Sequence, residues 1–176
     1  RLCWIKFGRT DISKARSEYI RYKRIKNWSN KQKRSPIKDK EIEHYLENTS
    51  LKLTASTKQD ISYKNADYII VATPTNYDMV TSSFDTSSVE QVISESMKYN
   101  KNATIVIKST VPLGFTNSIR NKYKSRNIFF SPEFLRETKA LYDNLYPSRI
   151  VIGDNSVEAV KFGEILLKCS KRTKAD

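Results

Sequence analysis

From residue 35 onward, short apolar runs alternate with stretches of helical period, and that order predicts the fold class. Ala66–Ala72 (ADYIIVA) is almost continuously apolar, the pattern of a central parallel strand covered on both faces. Thr104–Lys108 (TIVIK), Asn127–Phe130 and Arg149–Gly153 (RIVIG) predict further strands, and Leu51–Ala55 a shorter one. Ser87–Tyr99 sets Val89, Val92, Ile93 and Met97 at helical spacing, with Ser87 or Ser88 available as the N-cap. Asp39–Asn48 places Ile42, Tyr45 and Leu46 on one helix face, and Val157–Cys169 reads as a closing helix. Strands alternating with helices predict an α/β chain, with right-handed crossovers building one doubly wound, mostly parallel sheet.

In such a sheet ligands bind beyond the carboxyl ends of the strands, so the residues after each apolar run carry the candidate chemistry. They are Thr73-Pro74-Thr75-Asn76, Ser109-Thr110-Val111-Pro112 and Ser131-Pro132-Glu133-Phe134-Leu135-Arg136-Glu137. Each combines hydroxyls or carboxylates with a proline. Proline cannot extend a ladder, so these groups are expected to turn into the crevice.

Composition narrows the field. A length of 176 residues bounds the chain at one ordinary domain. Two cysteines and one histidine exclude a disulfide framework and a four-ligand or His-rich metal site, so no metal is expected. No run approaches the ~18 apolar residues of a membrane span. The net charge of +13 raises nucleic acid as a partner, yet the charge is local. Residues 1–34 hold 12 of the 32 basic residues against Asp11 and Glu18, a net +10, which leaves +3 for the remainder. No nucleic acid is therefore assigned. Cys169 shares a helical face with Ala159, Phe162 and Leu166 and reads as a buried structural thiol. His44 reads as a solvated surface residue, and Lys171, Arg172 and Lys174 as a helix end with its tail.

Five stretches carry a family resemblance: Ser35-Pro36-Ile37, ATPTNYD at 72–78, FDTSSVE at 84–90, IKSTVPLGFT at 107–116 and SPEFLRETKALYDNLYPSRIVIG at 131–153. The chain resembles the UDP-glucose 6-dehydrogenases of the UDP-glucose/GDP-mannose dehydrogenase family, nucleotide-sugar dehydrogenases that oxidise an alcohol to a carboxylate with NAD. The resemblance runs from about Ser35 to Asp176 and implies a Rossmann-like NAD-binding domain, incomplete at its N-terminal βαβ unit. It implies that Val71, Ala72, Thr73, Pro74 and Thr75 line the NAD pyrophosphate and ribose, and that Ser109, Thr110 and Val111 approach the nicotinamide, which Glu137 also neighbours. Glu133 would be the acid/base carboxylate beside the oxidised carbon, with Thr110 as the second catalytic residue. Glu133, Phe134, Leu135, Arg136 and Glu137 would contact the sugar nucleotide. Thr138 stands where the family often has Gly or Ser. The implied partner is UDP-glucose and the implied compartment the cytoplasm. The family's catalytic Cys, Lys, Asn and Asp, its central helix, its UDP-sugar domain and its dimer-forming region belong to later sequence, so the chain is expected to be an incomplete, inactive copy of a homo-oligomeric enzyme. A dehydrogenase of another nucleotide sugar, such as a UDP-N-acetylhexosamine, and a catalytically dead fragment stay as alternatives.

The family opens on a strand and a Gly-rich turn, which residues 1–34 do not show. Arg1 to Gly8 can be encoded by AGG TTA TGT TGG ATT AAG TTT GGN, and one base later that DNA reads Gly-Tyr-Val-Gly-Leu-Ser-Leu. Trp4 followed by Ile5 forces a glycine codon in the shifted frame. Residues 1–34 are therefore expected to be a frame-shifted reading of the dinucleotide-binding unit, with a targeting presequence and a basic arm as the competing readings.

Overall fold

The computed structural model describes residues 17–20, 40–48, 53–56, 58–80, 82–136 and 139–172. The readings of Cys3, Trp4, Gly8, Trp28, Ser35-Pro36-Ile37, Glu137, Thr138 and Lys174 lie outside these residues. So do the side chains of Tyr45 and Leu46. The elements are β1 (Ser17–Ile20), α1 (Lys40–Asn48), β2 (Leu53–Ser56), α2 (Gln59–Lys64), β3 (Tyr68–Val71), β4 (Tyr77–Asp78) and β5 (Ser83–Phe84). They continue with α3 (Ser87–Tyr99), β6 (Thr104–Ile107), α4 (Phe115–Tyr123), β7 (Ile128–Phe130), α5 (Ala140–Leu145) and α6 (Val157–Cys169). Among the described residues no helix is long and apolar enough to cross a membrane.

The apolar runs form the centre. β3, β6 and β7 make a parallel sheet with β6 in the middle, Val71 opposite Ile107 and Ile107 opposite Phe130. Side chains alternate across it. Ile69, Val71, Ile105, Ile107 and Ile128 pack with Val89, Val92 and Ile93 of α3 and Ile119 of α4. Tyr68, Ile70, Val106 and Phe129 point the other way, onto Ala159 and Phe162 of α6. Both faces are covered, which is why these runs are apolar throughout rather than alternating. Phe162 lies 5.4 Å from the Tyr68 ring and 5.7 Å from the Phe129 ring, and the Tyr68 hydroxyl donates to Glu158 O at 3.0 Å.

One asparagine fastens the opposite end of the sheet. Asn100 follows α3, and its amide donates to Tyr63 O (3.0 Å) and Ala66 O (2.9 Å) at the end of α2. Its Oδ1 accepts from the Asn102 and Ala103 N–H groups ahead of β6, at 3.1 Å each. The chain thus enters β3 and β6 from one hydrogen-bonded knot.

Several expectations need correction. The mostly parallel α/β class holds, but among the described residues the pairing is not one continuous ladder: β1 pairs in parallel with β2, and β4 with β5 as an antiparallel hairpin, beside the three-stranded ladder. Apolar periodicity identifies a strand, whereas its partner depends on contacts distant in sequence. β1 falls inside the basic first segment. Arg149–Gly153 is not a strand, because it meets β7 through one backbone bond, Gly153 N–H to Phe130 O at 2.8 Å, and not through a ladder. A Cβ at Gly153 would sit 2.9 Å from Phe130 O, so this approach needs glycine. Cys169 is exposed, since the last turn of α6 runs past the edge of the core. What burial its sulfur has pushes the thiol pKa up, away from the nucleophilic range.

The hydrophobic pattern also passed over α2, α4, α5 and the hairpin. In α4 the apolar positions are Phe115, Ile119 and Tyr123, a stripe one residue wide among Asn, Arg and Lys. Neither Ser87 nor Ser88 caps α3, whose N-cap is Thr86. Hydrogen bonds from Ser87, first from its side chain and then from its N–H, which donates to Asp85 Oδ1 at 2.9 Å, lower the Asp85 pKa.

Phe162→Ala is expected to cost about 3–5 kcal/mol, because that ring is the largest fully buried side chain covering the α6 face. Urea unfolding of the variant beside the parent chain measures it.

Candidate active site

The carboxyl ends of β3, β6 and β7 are held level by backbone bonds that continue the ladder. Lys108 N–H and Ser109 N–H donate to Val71 O at 2.8 and 3.1 Å, and Ser131 N–H donates to Ile107 O at 2.9 Å. The loops at 72–75, 108–111 and 131–136 therefore leave one edge of one sheet side by side, as the strand-end reading requires.

Hydroxyls then lock two of the loops together. Ser109 Oγ donates to Thr73 O at 2.7 Å. Ser88 Oγ, at the start of α3, lies 3.0 Å from Thr73 Oγ1 and 2.9 Å from Pro74 O. Thr73 and Ser109 are consequently buried, and Val71 is wholly so. These hydroxyls serve the frame and do not open into the crevice, because a loop peptide has carbonyls of its own to satisfy. What the frame presents is their neighbours: exposed Pro74 and Thr110, with half-buried Ala72, Thr75 and Val111.

The third loop behaves differently. Ser131 is fully buried and its Oγ has no hydrogen-bond partner. Glu133 and Phe134 are exposed and Leu135 is half-buried. Arg136 is clamped by Asp143 of α5: Nη2 donates to Oδ1 at 2.7 Å, Nε to Oδ2 at 3.0 Å and the backbone N–H to Oδ2 at 2.8 Å. Side-chain and backbone bonds from Arg136 hold the Asp143 carboxyl at about 2, below its ordinary 3.8. The Arg149 guanidinium stands 5.1 Å from the centre of the Phe134 ring, a cation–π contact. Between this loop and α5 lies a cleft of about 720 Å³, lined by Glu133, Phe134, Leu135, Arg136, Tyr142, Asp143, Tyr146, Ser148 and Arg172.

One functional candidate escaped the sequence reading. Lys108 is half-buried, burial pushes its ammonium pKa down, and the Glu133 carboxylate opposes that shift. The available signal was a lone charge ending the apolar run TIVIK, where a strand end meets the crevice.

The donors present fit one part of a dinucleotide. Peptide groups and the Thr110 hydroxyl at the ends of β3 and β6 suit a ribose or an amide. The sequence has four glycines and no glycine-rich turn to cradle a pyrophosphate.

Two outcomes test this geometry. Ser131→Ala is expected to raise stability by about 1 kcal/mol, because it removes a buried hydroxyl that has no partner; the denaturant midpoint reads it. The Asp143 carboxyl is depressed in the folded chain, so the Arg136 clamp is complete above pH 3.8 and is lost as pH falls through about 2. Carboxyl NMR titration should show that midpoint in the parent chain and its return toward 3.8 in Arg136→Ala.

Comparison with known proteins agrees with this layout. The profile of the "UDP-glucose/GDP-mannose dehydrogenase family, NAD binding domain" matches residues 20–169. A UDP-glucose 6-dehydrogenase of Streptococcus pneumoniae is 58% identical over 121 residues, covering 69% of this chain and 31% of the relative. One from Campylobacter jejuni subsp. jejuni is 47% identical over 143 residues, covering 81% and 36%. Among solved structures, a UDP-glucose dehydrogenase from Pyrobaculum islandicum superposes with a TM-score of 0.70 at 25% identity, covering 83% of this chain and 37% of that one. A GDP-mannose dehydrogenase from Pseudomonas aeruginosa, at 22% identity and a TM-score of 0.68, shares the fold over 81% of this chain and 36% of its own. The chain spans about a third of the length of the relatives it matches. With three strand-end loops at one sheet edge and the family match running through all of them, the chain belongs to the UDP-glucose/GDP-mannose dehydrogenase family and carries its NAD-binding domain.

Proposed function

We propose that this chain is the NAD-binding part of an enzyme that oxidises UDP-glucose to UDP-glucuronate in two NAD-dependent rounds, in the cytoplasm. The observation that carries the reading is the third loop. It carries the exposed Glu133 carboxylate on the loop that follows β7, in a chain whose relatives at 58% and 47% identity are named UDP-glucose 6-dehydrogenases.

NAD, when bound, accepts the hydride that leaves the sugar carbon. The chain's own residues do the rest. Each oxidation also releases a proton from oxygen, and Glu133 is the carboxylate placed to accept it or to hold a water. Thr110 offers an exposed hydroxyl next to buried Ser109, which is itself fixed by its bonds to Val71 O and Thr73 O. The Arg136–Asp143 clamp fixes the far side of the 133–136 loop, so Glu133 rides on a braced segment. In this reading Val71 and Thr73 shape the NAD crevice from beneath while Pro74, Thr75 and Val111 face it.

Forming a carboxylate through an enzyme-bound acyl group needs a thiol in the crevice, and Cys169 lies at the end of α6 instead. Residues 1–176 alone are therefore expected to form no UDP-glucuronate; with no glycine-rich turn for the pyrophosphate, NAD affinity is expected to be weak and NADH formation from UDP-glucose undetectable. Amide NMR with millimolar NAD and UDP-glucose is expected to move Thr73–Thr75, Ser109–Val111 and Glu133–Arg136, and GDP-mannose to move the last group less. Shifts confined to other surfaces would refute the assignment. Equal shifts from GDP-mannose would favour a dehydrogenase of another nucleotide sugar.

A further inference from the structure

We infer that Ser88 is a positioning residue of the crevice, holding the peptide after Pro74 so that its N–H, that of Thr75, stays turned toward bound NAD; the inference rests on the proposed reading of that crevice. Ser88 belongs to FDTSSVE at 84–90, whose other members have work elsewhere. The Phe84 ring packs 5.1 Å from Tyr77 in the hairpin, and Asp85 N–H closes that hairpin on Asn76 O at 2.8 Å. Thr86 is the N-cap of α3, and Val89 is wholly buried among the core residues of α3 and the sheet. With Val89 seated there, the first turn of α3 is fixed against the sheet. The Ser88 hydroxyl is therefore a fixed point beside the loop that follows β3.

Two hydroxyls from different elements take successive carbonyls of that loop. Ser109 Oγ donates to Thr73 O at 2.7 Å, and Ser88 Oγ donates to Pro74 O at 2.9 Å while lying 3.0 Å from Thr73 Oγ1. Peptide geometry then sets the donors. Pro74 has no N–H, so the 73–74 peptide offers none. The 74–75 peptide is trans, and its C=O and N–H point opposite ways. With Pro74 O drawn to Ser88, Thr75 N–H points away from the first turn of α3. Thr75 is half-buried, and among the described residues its N–H has no hydrogen-bond partner. A backbone donor left open at a strand end suits a ribose or phosphate oxygen of a cofactor, and fixing it before the ligand arrives spares the cost of ordering the loop on binding.

Amide NMR on the labelled 1–176 chain tests this with S88A, S88T and S88V. Thr keeps the hydroxyl and Val has nearly the same shape without it, so that pair separates the bond from the space it fills. Without ligand, the Thr75 amide resonance is expected to move in S88A and S88V and to return toward the parent in S88T. With millimolar NAD, S88A and S88V are expected to bind about fivefold more weakly than the parent, the effect of one hydrogen bond, and S88T as the parent does. UDP-glucose, followed at Glu133–Arg136, is expected to bind parent and variants alike, which a general loss of structure would not allow. Equal NAD binding by S88V and S88T would overturn the inference, as would a Thr75 resonance in S88A that matches the parent, or a loss of UDP-glucose binding as large as that of NAD. A parent chain that binds no NAD would instead refute the reading of the crevice, and the ligand-free Thr75 resonance would still decide whether Ser88 sets the loop.

Discussion

The site depends on two peptide bonds more than on any side chain. Val71 O accepts the N–H groups of both Lys108 and Ser109, and Ile107 O accepts that of Ser131. These contacts extend the β3-β6-β7 ladder just past its regular end and bring three loops, distant in sequence, to a common edge. Everything polar in the crevice inherits its position from them. Ser109 reaches Thr73 because its backbone is pinned to Val71, and the third loop starts from the same edge because Ser131 is pinned to Ile107. The apolar faces below supply the stability that lets so short a ladder hold this alignment.

Much of this could be read from residue order. Runs such as YIIV and TIVI announce strands because both faces of the sheet are covered, and α3 and α6 were legible to the residue from their apolar spacing. The loops were legible too, since a proline directly after an apolar run marks a strand end. Pairing was not. RIVIG is as β-like as TIVIK, but only spatial arrangement decides which receives a ladder and which a single bond to Phe130. Short helices with one narrow stripe, such as Phe115–Tyr123, fall below what periodicity resolves. In the site, residue type foretold the hydroxyls but not their employment. Thr73 and Ser109 spend theirs on neighbouring loops, while Lys108, just past β6, is a charge at a strand end, which is commonplace.

The third loop carries the tension expected of a working site. Its serine hydroxyl is buried unpaired, its neighbouring ammonium is partly withdrawn from water, and Phe134 keeps an aromatic face half exposed beside Arg149. The first two loops satisfy themselves internally. The third is braced from outside, through Asp143 of α5 and through Gly153 at Phe130 O. Rigid framing on one side and unresolved polarity on the other is how a fold keeps reactive groups available at the expense of some stability.

The two sides of the central sheet are unequally protected. Helices α3 and α4 roof one side, whereas the other relies on α6, whose wholly buried contributions are Ala159 and Phe162. Slow breathing of the native chain should therefore be lopsided, with α6 lifting as a unit while α3 and α4 stay seated. Ile70, Val106 and Phe129, just ahead of the three strand-end loops, face the side that lifts, so α6 governs how often water reaches the sheet beneath the crevice.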